Sequence, residues 1–418
     1  MNHINTKVLG GLAVAAVVAI GAAAVVSKYR QPDSESPGGI AYALPSLRGH
    51  LNDVKTVGLI AADNKPAVTL ENGGAGWTVR EKDGYPADTG KLRGLLLNLA
   101  DARLLEEKTA QTERYPDLGV EDVKNKDAKG LLVQIEGLAE PSQLIVGNTS
   151  SHGGGTFVRR PDDKQSWLAQ GQIRIDRDPI QWVDTVVTDI PSERIAEIAL
   201  NQGQGKPLRL FREEPGNGNF RMADLPKGRE PAAPDVVGGL ASTLSGLKLE
   251  DVAAAKTHPQ PDGTPKLQGR YRTFDGVTVA VTAWPEGGKR FASFSASLDQ
   301  AAADKAIRSE QDKAKADDEA RQKAAEKESE PAAGQAAETD AAPAAPPAVQ
   351  DPAKYRQQRL DELNAEIAQL NRRFQDRHFV IPDFKYANMD KSLDDVLKPL
   401  SKTQTPPVKS KAKKPWRR

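Results

Sequence analysis

Two stretches of the 418-residue chain carry residue types whose order suggests chemistry. The first is residues 84–92, Gly84-Tyr85-Pro86-Ala87-Asp88-Thr89-Gly90-Lys91-Leu92, which resembles a phosphate loop. Such a loop needs four residues between its glycines and a Ser or Thr after the lysine, because that hydroxyl holds magnesium. Here five residues intervene and Leu92 follows the lysine, so the stretch reads as a capped helix start. The second is Ser150-Ser151-His152-Gly153-Gly154-Gly155. Ser151 and His152 could supply a nucleophile and its base, with glycine amides lining an oxyanion hole. No G-x-S-x-G elbow accompanies them, and a glycine cluster between two short strands usually just turns the chain. The five histidines, His3, His50, His152, His258 and His378, show no metal-ligand spacing. The pairs Asp162-Asp163, Asp317-Asp318 and Asp394-Asp395 read as solvated surface. No catalytic, cofactor or metal residue is therefore assigned.

Composition narrows the classes further. With 58 basic and 57 acidic residues the chain has no global field that would draw nucleic acid. Cysteine is absent, which excludes disulfides, thiol catalysis and cysteine-held clusters. Aromatics make up 5 %, few for a sugar-binding surface.

The elements that would position these residues centre on residues 76–107. A strand at Trp77, a turn at Tyr85-Pro86-Ala87-Asp88, a helix and a second strand follow one another. Leu92, Leu95, Leu96 and Leu99 share one helix face, and Asp88 or Thr89 sits where it can cap the helix. A looser copy occupies residues 220–252, with a strand at Phe220-Arg221-Met222 and a helix carrying Val236, Leu240 and Leu244.

Residues 8–26 form a nineteen-residue run without charge. At 1.5 Å per residue it spans about 28 Å, the thickness of a bilayer core. A cleaved signal peptide, with Ala22-Ala23-Ala24 as the small-residue site, is the rival. Lys7 precedes the run and Lys28 and Arg30 follow it, so charge does not orient it. The short head and long body favour a body outside the cytoplasmic membrane.

The organisation expected is an anchor over 1–30, a linker over 31–49, a first unit over 50–190 and a second over 191–298 completed by 377–400. Residues 299–350 form a low-complexity insertion with little to bury, 351–376 a short amphipathic helix with a coiled-coil seam, and 401–418 a basic tail. Helical closing segments are expected over 178–190 and 389–400, the first preceded by a strand at 172–175. The fold class is α+β: a single transmembrane helix, then two tandem related units of short antiparallel strands with packed helices.

Trp77 and Val79 before Tyr85-Pro86-Ala87-Asp88, the leucine-rich helix, Tyr115-Pro116-Asp117-Leu118-Gly119-Val120 and Trp182-x-Asp184 together resemble a bacterial family named domain of unknown function 4340. The resemblance implies a membrane-anchored envelope protein, often encoded beside ABC-transport components of the gliding-motility type. It carries no catalytic residues to transfer. The function expected is a non-catalytic accessory component of an ABC-type transport complex, partnered by the cytoplasmic membrane and permease subunits, without cofactor. The alternatives are an envelope hydrolase using Ser151 and His152, and a module binding envelope polymers.

Overall fold

The computed structural model describes residues 41–74, 76–140, 142–151, 154–203, 207–215, 219–232, 234–263, 267–328 and 346–398. The expected anchor at 8–26, the linker up to residue 40 and the basic tail lie outside the described residues. Among the described residues, no helix is long and apolar enough to cross a membrane. The chain is mixed α+β with antiparallel sheets, and it divides into two compact units. One comprises the described residues of Met1–Pro66 and Arg93–Ile175; the other comprises Ala67–Leu92 and those of Asp176–Arg418.

In chain order the first elements are β1 (Thr56–Ala61), β2 (Lys65–Asn72), β3 (Trp77–Val79), β4 (Tyr85–Pro86), α1 (Thr89–Ala100) and β5 (Leu104–Glu107). Then come α2 (Tyr115–Leu118), β6 (Leu131–Glu136), β7 (Ser142–Thr149), β8 (Gly155–Arg159), β9 (Ser166–Gln170) and β10 (Val186–Thr188). They are followed by β11 (Ile195–Asn201), β12 (Leu208–Phe211), β13 (Arg221–Met222), α3 (Pro234–Ala241), β14 (Leu247–Lys248) and β15 (Asp251–Ala254). The last are β16 (Leu267–Thr273), β17 (Val277–Glu286), β18 (Lys289–Leu298), α4 (Gln300–Glu328), α5 (Pro347–Gln350), α6 (Pro352–Phe374), β19 (Arg377–Val380) and α7 (Asp383–Met389).

In the first unit the hydrogen-bonded order is β1-β6-β7-β8-β9-β5. Strict alternation explains one face: Val57, Leu59, Val133, Ile135, Leu144 and Val158 are buried. Unusually for an antiparallel sheet, the opposite face is also covered. Tyr115 and Val120, with Leu118, pack over Ile145, Leu132 and Phe157. Gly147 permits this close approach, since a Cβ there would stand 2.4 Å from the Leu118 carbonyl oxygen.

In the second unit the order is β13-β12-β11-β16-β17-β18-β19-β15, and β10 and β14 pair separately. The core face carries Ile198, Leu200, Tyr271, Val279, Val281 and Phe294. β19 pairs with β15 along its length and with β18 at Phe291 and Ala292.

Residues 299–350 depart from expectation. The charged stretch is helical as α4, but its first turns are core: Ala303 and Ile307 are buried with Val277, Leu360 and Leu363. Asp299 caps the helix through the Ala302 amide, 3.1 Å away. At Gly276, with φ at +89°, a Cβ would lie 2.8 Å from the Ala303 nitrogen, so glycine lets the helix start on the sheet turn. Two small or branched residues suffice for this contact, which is why composition hides it.

α6 lies beside α4, with Arg356 paired to Asp304 at 2.7 Å and the Tyr355 hydroxyl donating to Glu310 at 2.8 Å. It is fixed to the sheet by Arg194, whose Nη1 and Nη2 donate to Glu366 at 2.8 and 2.7 Å while also meeting Asp275. The Asn371 amide takes both backbone groups of Ala296 on β18, each at 2.8 Å.

Both closing segments are less helical than expected. Pro179 opens only a 3-10 turn, Pro179–Trp182, and the β-branched Val186-Val187-Thr188 then forms β10. No strand forms over 172–175. After β19, Pro382 starts α7 earlier than expected, and Ser392 and Asp395 bond to each other instead of extending a helix. Tyr85-Pro86, expected in a turn, pairs with β3 because Tyr85 buries its ring completely.

Candidate binding pocket

The loop over 84–92 is a helix cap. Asp88 Oδ1 accepts the Lys91 amide at 2.9 Å, and the Asp88 amide donates to the Trp182 carbonyl at 2.7 Å. The Lys91 ammonium pairs with Asp176, donates to the Gln181 carbonyl at 2.9 Å and stands over the Trp182 ring. The groups a phosphate would require are thus already engaged within the protein. Beside them Tyr85 is buried, and desolvation pushes its hydroxyl up to about 12. The phenol therefore stays protonated at neutral pH, and its ring packs in the core.

Ser150 donates its amide to the Gly155 carbonyl at 2.8 Å, closing the connection between β7 and β8 as a hairpin. Ser151 sits on that hairpin, while His152 lies outside the described residues. His50 meets Asp53 at the surface, His258 meets Glu286, and His378 is buried against the His258 carbonyl. Among the described residues no group of three or more His, Asp or Glu is placed to hold a metal ion.

The first unit does carry an open polar pocket of about 420 Å³. Its wall begins with Tyr42, which bridges to Arg103 at the start of β5; the Ala43 amide donates to Ala102 and the Leu104 amide to Ala41, each at 2.8 Å. The 3-10 turn Pro45–Leu47, anchored by the fully buried Leu47, aims Arg48 back so that its guanidinium carbon stands 3.8 Å from the Tyr42 ring centre. Arg103 approaches the same ring at 5.9 Å. Asn98 and Asp101 come from the end of α1, and Gln170 and Gln172 complete the lining. The far wall is held by the buried Thr156 hydroxyl, which donates to the Gly171 carbonyl at 2.9 Å and accepts the Ile173 amide at 3.0 Å. Two guanidinium groups on one ring, beside amides, make a surface that grips carboxylates and carbonyls. Asp101 adds one carboxylate to the same lining.

Sequence order alone missed Tyr42, Arg48 and Arg103, because they come from segments with no shared motif. The one local hint is Gly49 after Arg48, whose φ of +79° marks a tight turn.

Comparison with known proteins adds one finding. Residues 77–266 match the family described as Domain of unknown function (DUF4340). The DUF4340 stretch begins at β3 and ends before β16. It includes Asn98, Asp101, Arg103 and Gln170 of the pocket but not Tyr42 or Arg48. No curated protein and no solved structure matches the chain.

Proposed function

We propose that the protein is a non-catalytic accessory subunit of an ABC-type transport complex. Residues 8–26 hold it to the cytoplasmic membrane, and its body works on the periplasmic side. The observation carrying this reading is the pocket around Tyr42, whose arginines and amides suit holding a partner. The DUF4340 resemblance supports the envelope context that such family members imply. We also read the two units as tandem copies. In support, β1-β6-β7-β8-β9-β5 and β11-β16-β17-β18-β19-β15 follow the same order, with α1 and α3 entering before the edge strands β5 and β15.

The test is affinity purification of the full-length protein in mild detergent, beside the double variant Arg48→Ala/Arg103→Ala. The wild type should recover permease components and the variant should lose them while keeping its melting behaviour. Recovery of no membrane partner, or labelling of Ser151 by a serine-reactive probe, would end the reading.

A further inference from the structure

The face opposite the core differs between the two sheets. In the first unit the connection over 108–130 lies on it, and Arg159 of β8 shows what it provides. Arg159 is buried; its Nε donates to the Val120 carbonyl at 2.9 Å, its Nη2 to Asp122 at 2.6 Å and its Nη1 to the Asp163 carbonyl at 3.0 Å. A chain segment bearing a carboxylate thus sits on the sheet and satisfies a guanidinium.

In the second unit the matching connection is shorter, over 255–266, and the corresponding face is an open basin of about 390 Å³. Strand register lays out its floor. Glu197, Arg272, Thr278 and Ser297 form one row across β11, β16, β17 and β18. Ala199, Arg270, Ala280 and Ser295 form the next. The charges of the first row are paired: Arg272 meets Glu197 at 2.6 Å and Asp299 at 3.6 Å, and Glu197 also meets Arg209 at 3.2 Å. In the second row Arg270 is exposed between two alanines, and no carboxylate among the described residues lies within ion-pair distance of it.

We propose that this basin docks an acidic stretch of a partner polypeptide. A carboxylate of that stretch pairs with Arg270, and its main chain lies over Ala199 and Ala280, where small side chains leave room. Ser295 and Ser297 are exposed beside it and can hydrogen-bond main-chain groups. The internal precedent at Arg159 favours a peptide, and the basin lining has no aromatic ring on which a sugar would stack. The inference rests on the accessory reading only in supposing that a partner chain exists.

The experiment uses full-length protein in mild detergent and a short fluorescein-labelled peptide of alternating glutamate and serine, read by fluorescence anisotropy. Binding should saturate, weaken with added salt and disappear when glutamine replaces glutamate. Arg270→Ala should weaken it about tenfold, the effect of losing one charge-assisted pair. Arg221→Ala, on the edge strand β13, should leave it unchanged, and circular dichroism should show both variants folded. Equal binding by Arg270→Ala, equal binding of the glutamine peptide, or preference for an oligogalacturonate over the peptide would each overturn the proposal. Because no transport component enters this assay, it can succeed where co-purification fails, and the reverse.

Discussion

Replacing Ile307 by alanine tests whether α4 is part of the second unit's core. The side chain is 2 % exposed and packs with Val277, Ala303, Leu360 and Leu363. Truncating a buried isoleucine costs about 2–5 kcal/mol, depending on how far the site can collapse. Here Tyr355, Ile367 and Leu370 flank the cluster only partly buried, so the cavity can relax and the lower end, about 2–3 kcal/mol, is expected. Urea unfolding followed by tryptophan fluorescence suits the measurement, because Trp284 is fully buried in the same unit. Exchanging 302–350 for a Gly/Ser linker should cost at least as much, since it removes Ala303, Ile307 and the buried Ala348 together. Composition alone would make that exchange neutral. An Ile307→Ala midpoint within about 0.5 kcal/mol of wild type, the range of a surface substitution, would refute the packing argument.

Asn371→Ala should cost about 1–3 kcal/mol, because it leaves the amide and carbonyl of Ala296 unpaired, and hydrogen exchange at Ala296 should rise with it. Asp88→Ala removes one cap bond to the Lys91 amide and should lower stability by about 1 kcal/mol in the same urea assay. His378 is buried beside the Trp284 ring, and burial lowers its pKa; the hydrogen bond to the His258 carbonyl and the Glu286 charge partly oppose this, while the His258 ring adds repulsion. A depressed folded-state pKa means the unfolded chain takes up the proton first. Stability should therefore fall as pH drops through the unfolded-state value of about 6.5. Thermal unfolding between pH 7.5 and 5.5 should show a shallower dependence in His378→Asn; an unchanged slope would remove His378 as the cause.

Much of the second sheet was legible because its strands alternate: Ile195, Leu208 and Val277 open runs whose register follows from period two. The Leu92, Leu95, Leu96 and Leu99 face and its Asp88 cap were legible for the same local reason. What escaped depends on partners distant in sequence. Ile307 looks solvated among lysines and glutamates until Leu360 and Leu363 meet it. Tyr85 reads as a turn residue until a buried ring outweighs local preference. The closing segments are less helical than expected because proline and β-branched residues redirect the backbone within a few positions. The pocket was invisible for a further reason: Tyr42, Arg48 and Arg103 are unremarkable alone, and only the short bridge from Tyr42 to Arg103 brings them to one ring.

The bond between Asn371 and Ala296 has a consequence outside the folded monomer. β19 runs along β18 only at Phe291 and Ala292, so the remaining edge would otherwise offer a row of backbone groups to any passing strand. A helix covers that edge with one side-chain amide. Unlike a strand, it presents no further row of backbone groups for another chain to continue. The sheet is thereby closed to fibre-like growth at this position, and Asn371→Ala molecules held at high concentration should show it first as thioflavin-positive aggregation.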